Sequence, residues 1–147
     1  MIRGRWFPQG SDLSVPLRLR QDVFARERDA LDDSAQQVVV YQSDEPVGTA
    51  RLWWQDGSFH LGDVGVLAAE RGKGVGDLLV RLLLFKALSH YATVVELMAP
   101  PEVVGFFAKY GFVPADTDAQ DAPEGLVLMV IRGDDIQLSH CGGCKGC

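Results

Sequence analysis

Six consecutive residues, Arg71-Gly72-Lys73-Gly74-Val75-Gly76, stand between a strand-like run and a leucine-rich helical pattern. At such a junction free backbone N–H groups, the positive end of a helix dipole and two cationic side chains converge, which is the composition of a phosphate site. Glycines at 72, 74 and 76 let a diphosphate approach the backbone without obstruction by Cβ. Lys73 is followed by Gly74-Val75 and not by the Ser or Thr of a Walker loop, and the glycine spacing is not the dinucleotide G-x-G-x-x-G. A tight turn with solvated Arg71 and Lys73 is the competing reading. A second chemistry-bearing group closes the sequence, where Cys141, Cys144 and Cys147 in C-x-x-C-x-x-C spacing can place three thiolates on one zinc ion or iron–sulfur cluster. A fourth ligand is lacking, since His140 directly adjoins Cys141, so a reduced flexible tail and redox pairing are the alternatives.

The elements that must position the glycine loop follow from periodicity and punctuation. Ile2 to Phe7 reads as a strand stopped by Pro8 and Gly10. Val38-Val39-Val40-Tyr41 and Val47 to Trp54 read as a hairpin across Ser43-Asp44-Glu45-Pro46, and Phe59 to Leu67 as a strand after the Gln55-Asp56-Gly57-Ser58 turn. Between the first two strands lies a helix capped by Ser11, Asp12 or Ser14, with Leu17, Val23, Phe24 and Leu31 as its apolar stripe among Arg18, Arg20, Arg26 and Arg28. After the loop, Asp77 to about Tyr91 is the strongest helix, burying Leu78, Leu79, Leu82, Leu83 and Phe85. A strand from Thr93 to Met98 ends at Pro100-Pro101, a short helix covers Glu102 to Tyr110, and Phe112-Val113 with Leu126 to Ile131 supply the last strands. Residues 115–125 read as a long polar loop. This order predicts an α/β fold, a mixed and mainly antiparallel sheet flanked by helices, with one domain over 1–133 and a Cys-rich tail over 134–147.

Composition agrees with a single globular core. A chain of 147 residues buries roughly 70% of its unfolded surface. All its cysteines lie in the tail, so the body stands on packing without a disulfide framework. A net charge of −6 argues against wide nucleic-acid binding. No run approaches the ~20 apolar residues of a membrane span, and the opening residues lead into no signal-like segment. A cytoplasmic protein with no membrane partner is the expectation, and a homodimer is compatible with it.

Arg71-x-x-Gly74-x-Gly76 resembles the [Gln/Arg]-x-x-Gly-x-[Gly/Ala] signature by which Gcn5-related N-acetyltransferases (GNAT) hold the coenzyme A pyrophosphate. Phe106-Phe107-Ala108-Lys109-Tyr110-Gly111-Phe112 is similar to that family's F-Y-x-K-x-G-F segment, and Leu17-Arg18 followed by Val23-Phe24 and Glu27 to the opening of one GNAT subgroup. The resemblance spans about residues 1–131. It implies acetyl-CoA as acyl donor and an amine as acceptor. It further implies a bulged strand, for which Gly62 and Gly65 are suited, splaying from its neighbour so that pantetheine meets the backbone of Val64, Gly65 and Val66. Arg71, Gly72, Lys73, Gly74, Val75, Gly76 and Asp77 would cradle the phosphates, with Phe106 and Lys109 beside them.

Three positions depart from the family pattern. Phe107 stands where many members carry the tyrosine that protonates the departing thiolate, Pro100 where an Asn or Gln meets the cofactor, and Leu126 where a subgroup carries histidine. Tyr110 is a substitute acid, against a packing role. His60, Asp63 and, on the neighbouring strand, Glu96 are candidates for the base that deprotonates the amine, with a water chain as the alternative. Of these, His60 has the intrinsic pKa nearest neutrality. Acidic Asp29, Asp32, Asp33 and the loop from Asp116 to Glu124 would favour a cationic acceptor, or are solvated loops. The readings that compete with an N-acetyltransferase are a non-catalytic acyl-CoA binding module and a metal or redox role of the tail.

Overall fold

In a computed structural model of the chain, which describes residues 1–115, 125–136 and 138, the β-branched runs assemble into one seven-stranded sheet. Strands β1 (Ile2–Phe7), β2 (Gln36–Gln42), β3 (Glu45–Gln55) and β4 (Ser58–Val66) are successive antiparallel neighbours. Strand β5 (Val94–Ala99) runs parallel to β4, and β7 (Val127–Arg132) lies antiparallel between β5 and the short β6 (Val113–Pro114). Both tight hairpins turn on residue pairs with positive φ, Ser43-Asp44 at 55° and 95° and Asp56-Gly57 at 51° and 83°. Those signs belong to turns whose twist matches that of the strands.

Helix α1 (Ser14–Phe24) covers one face of the sheet and α2 (Val75–Ser89) the other. Strand β2 records the division. Val38 and Val40 pack with Leu79, Leu83 and Leu84 of α2, whereas Val39 and Tyr41 pack with Leu19 of α1 and Phe7. An unbroken apolar run is what a strand covered on both faces requires, and each such side chain contributes about 1.5–3 kcal/mol on burial. A 3₁₀ turn at Pro101–Val103 leads into α3 (Val104–Ala108), and Phe107, Tyr110 and Phe112 join the α2-side core.

The mixed, mainly antiparallel α/β architecture agrees with the sequence, and several details differ from it. Helix α1 stops at Phe24 because Ala25 turns into the left-handed region, so Leu31 belongs to a separate 3₁₀ turn, Ala30–Asp33. The residues α1 buries are Pro16, Leu19 and Arg20 in place of the expected stripe. Helix α2 starts at Val75, and Phe85, expected inside, is 68% exposed. Val80 and Leu84 take the inward places that the 3.6-residue period assigns to the stripe of Leu79, Leu83 and Ala87. Past residue 133, Ile136 and Leu138 still pack on the α2-side core, and Arg81 of α2 donates to the Leu138 carbonyl at 3.2 Å. The polar loop 116–124 and the tail from 139 lie outside the described residues.

Candidate active site

Strand β4 ends at Val66, and the chain reaches α2 through a 3₁₀ turn at Ala68–Glu70 and the exposed residues Arg71 to Gly74. Gly72 and Gly74 adopt left-handed φ of 80° and 85°, and Gly74 is the N-cap of α2. An added Cβ at Gly74 would meet open space, so the backbone angle is what calls for glycine there. The first helical bond runs from the Leu78 N–H to the Gly74 carbonyl at 3.1 Å. The N–H groups of Val75, Gly76 and Asp77 therefore have no helical acceptor, and among the described residues no side chain caps them. A Cβ on Gly76 would sit 3.6 Å from Phe106 Cζ and 3.8 Å from Val66 Cγ2. The end of β4, the start of α2 and α3 thus meet at one point, which brings the two sequence motifs together. Arg71 Nε donates to the Val66 carbonyl at 3.3 Å, Lys73 pairs with Glu70 at 3.1 Å, and Lys109 Nζ lies 5.0 Å above the Phe106 ring.

Beside the N-terminus of α2 the sheet opens. Strands β4 and β5 pair at two rungs, Phe59 with Val95 and His60 with Glu96. From Leu61 onward the edge of β4 that faces β5 has no strand partner among the described residues. The register on the other side explains the divergence: Thr49 opposes Gly65 while Arg51 opposes Gly62, so β4 carries one extra residue at Asp63-Val64. Asp63 has φ 52°, and a bulge of this kind bends and twists its strand. The family resemblance implied a bulged strand for which Gly62 and Gly65 are suited, and the extra residue lies between them. Leu67 N–H donates to Val47 O at 2.9 Å toward β3, so Val66, one residue back, presents its N–H to the gap, while its carbonyl accepts from Arg71 Nε. A Cβ on Gly65 would lie 2.7 Å from Phe24 Cε2 and 3.0 Å from Val23 Cγ1, because the last turn of α1 closes on that backbone.

The titratable candidates fall in three different settings. His60 lies at the last paired rung, its Nε2 3.1 Å from the Gln55 carbonyl and 3.5 Å from Glu96 Oε2, its ring stacked on Trp53 at 5.7 Å. Tyr110 is buried and donates its phenolic hydrogen to Asp77 Oδ1, whose other oxygen accepts from Arg81 Nε at 3.0 Å. Burial, then the hydrogen bond to Asp77 and its negative charge, raise the phenol well above the usual tyrosine range. Phe107 packs edge-on against Phe106 and Phe112 in the core. Among the described residues no group of three or more His, Cys, Asp or Glu side chains is placed to hold a metal ion; Cys141, Cys144 and Cys147 lie outside them.

Asp63 belongs to a network that the sequence did not disclose. Its carboxylate, 8% exposed, is ion-paired with Arg26, with Arg51 at 2.9 Å and with Arg20 at 3.8 Å. Arg20 binds Asp32 through two hydrogen bonds of 2.8 and 2.7 Å, and Arg51 binds Asp29 through two of 2.6 and 2.9 Å. Gln37 donates to Asp32 at 2.8 Å. Burial pushes the Asp32 carboxyl up, but hydrogen bonds from Arg20, the Asp29 amide and Gln37, with the charge of Arg20, outweigh it and hold the group well below the usual carboxylate range. Asp29 and Asp32, which the sequence offered either as acids favouring a cationic acceptor or as solvated loop residues, are engaged with Arg51 and Arg20, and Asp33 pairs with Arg28 at 2.7 Å. The only local signal was Arg51 amid the apolar β3 run.

A backbone gap that opens onto an uncapped helix N-terminus is the geometry of a site for an extended ligand ending in phosphate. The family model described as an acetyltransferase (GNAT) domain matches residues 18–131. The chain is 30% identical over 102 residues to the uncharacterized N-acetyltransferase YjcF of Bacillus subtilis, covering 64% of this chain and 73% of that protein. The crystal structure of ElaA from Escherichia coli superposes with a TM-score of 0.76 at 25% identity, covering 88% of this chain and 99% of the other. An acyl-CoA N-acyltransferase from Pseudomonas aeruginosa shares the fold at a TM-score of 0.77 and 22% identity, covering 88% and 99%. The chain therefore belongs to the GNAT acetyltransferase family, whose members move an acyl group from acyl-CoA to an amine acceptor.

Proposed function

We propose that the chain transfers an acetyl group from acetyl-CoA directly to a primary amine of a small molecule or protein, in the cytoplasm. One observation carries the reading: the gap beside β4 leads straight to the free N–H groups of α2, a slot and an anion seat in line. In this reading Val75, Gly76 and Asp77 amides, with Arg71, Lys73 and Lys109, receive the diphosphate, aided by the turn at Gly72 and Gly74. The backbone of Val64, Gly65 and Val66, with Phe106, lines the slot, and the Val66 N–H faces the oxygen on which negative charge develops.

An acetyl thioester is already activated, so alignment of the amine supplies most of the acceleration. The amine must shed a proton. With its Nε2–H directed to the Gln55 carbonyl, His60 offers Nδ1 as the acceptor for that proton. The phenolic hydrogen of Tyr110 is engaged by Asp77 and Phe107 has no hydroxyl, so the departing thiolate takes its proton from solvent. The test is free-thiol release from acetyl-CoA by the full chain across a panel of primary amines, with the product mass measured. Release should require both protein and amine. Coenzyme A binding without amine-dependent release would instead mark a non-catalytic acyl-CoA binding module, and absence of binding would refute both.

A further inference from the structure

The β4 bulge is built around an aspartate whose surroundings are unlike those of a proton acceptor. At a bulge with positive φ, glycine satisfies the backbone without strain, whereas a residue with a Cβ must be held there by its neighbours. Asp63, at φ 52°, is held by guanidinium groups from three segments: Arg20 on α1, Arg26 in the chain after it, and Arg51 on β3. Arg20 and Arg51 are in turn fixed by Asp32 on the 3₁₀ turn, by Asp29, which caps that turn, and by Gln37 on β2. Three guanidiniums and three carboxylates balance, and four of the six side chains, Arg20, Arg51, Asp32 and Asp63, are less than a tenth exposed. Asp63 is the network's member on β4, and the next residues, Val64 to Val66, form the edge of the gap.

We propose that Asp63 is the positioning residue of the acyl-transfer site: anchored by Arg20, Arg26 and Arg51, its carboxylate fixes the bulge that separates β4 from β5 and aims the Val66 amide at the thioester. The inference rests on the acyl-transfer reading above and departs from a role for Asp63 as general base. Because the anchor reaches across α1, β3 and the segment carrying Arg26, it also ties the gap to the end of α1 that packs on Gly65.

The experiment compares the wild-type full chain with Asp63→Asn, which keeps size and tolerance of positive φ but loses the charge, and with Arg26→Gln, which removes the solvent-facing arm. Two readouts are taken: steady-state kinetics over pH, and the backbone amide spectrum during titration with acetyl-CoA. The expected result for Asp63→Asn is a fall in kcat of roughly 10²-fold, as for a reacting group displaced by about 1 Å. The pH profile should keep its shape, and coenzyme A affinity, carried mainly by the amides of α2, should fall by no more than about 10-fold. Acetyl-CoA should still shift the amides of Val75 and Gly76 in the variant while the Val64 and Val66 shifts seen in wild type are lost. Loss of the limb of the pH profile assigned to the base would make Asp63 the base and overturn the proposal. Unchanged kcat together with unchanged Val64 and Val66 shifts would overturn it too. If Asp63→Asn does not fold, Arg26→Gln decides, with a smaller fall in kcat and altered Val64 and Val66 shifts expected and wild-type behaviour overturning. Wild-type protein in which acetyl-CoA moves neither amide set would defeat the acyl-CoA reading itself, a result distinct from all of these.

Discussion

Gly74→Ala isolates the backbone angle on which the proposed anion seat depends. At φ 85° with nothing within 4 Å of an added Cβ, the substitution acts through the backbone alone. A side chain in the left-handed region costs about 1–2 kcal/mol, which for a domain of this size lowers Tm by roughly 3–8 °C. Gly57, at φ 83° and equally open, lies at the other end of β4 in the hairpin turn, so Gly57→Ala carries the same strain away from α2. The two variants should lose similar stability in thermal unfolding. Coenzyme A affinity, by calorimetry, should fall only in Gly74→Ala. Relaxation of the N-cap re-aims the Val75, Gly76 and Asp77 amides, and a hydrogen bond to a charged group contributes about 1.5–3 kcal/mol, so misdirecting one weakens binding roughly 10- to 100-fold. Gly74→Ala protein that binds coenzyme A as tightly as the Gly57→Ala control would refute the assignment.

Asp32→Asn should lower stability at neutral pH by about 3–5 kcal/mol, because Arg20 and Arg51 are left buried with a charge missing, read as a lower urea midpoint. In the wild type, the Asp32 carboxyl lies lower in the folded than in the unfolded chain, so its contribution is whole above about pH 4 and fades as the pH falls further; urea titrations from pH 7 to pH 3 should show it, and flatter behaviour in Asp32→Asn. Tyr110→Phe should keep kcat within about two-fold while losing about 1 kcal/mol from the bond to Asp77; a 10²-fold fall in thiol release would make Tyr110 the thiolate's proton donor. Deleting His140 to Cys147 retains Ile136 and Leu138 on the core, so Tm and coenzyme A affinity should hold, and elemental analysis should find any zinc or iron of the full chain gone with the deletion.

What could be read in advance was what is encoded locally. The Val38–Tyr41 run, the two turns and the glycine loop each carry their structure in adjacent residues and fall in the expected segments, although β3 already begins at Glu45 and α2 at Val75, inside the loop's six residues. The network beneath α1 is encoded by residues far apart in the chain: Arg20 and Arg51 pair with Asp29, Asp32 and Asp63 across four elements. Periodicity treats a charged residue as solvent-facing, which is why Arg20 was assigned to the polar side of a helix that in fact buries it. The inward turn of Val80 and Leu84 over Phe85 was hidden for another reason, since a helix apolar nearly all round gives its own sequence no preferred face.

Joined among the described residues by only two rungs between β4 and β5, the backbone ladder divides into two plates, β1 to β4 on one side and β5, β7 and β6 on the other, which share the α2-side core. A ligand lying in the cleft would supply the missing rungs and act as a keystone. Ligand occupancy would then be written into amide hydrogen exchange along that seam, slowest when the two plates are bridged and fastest when they are free to breathe.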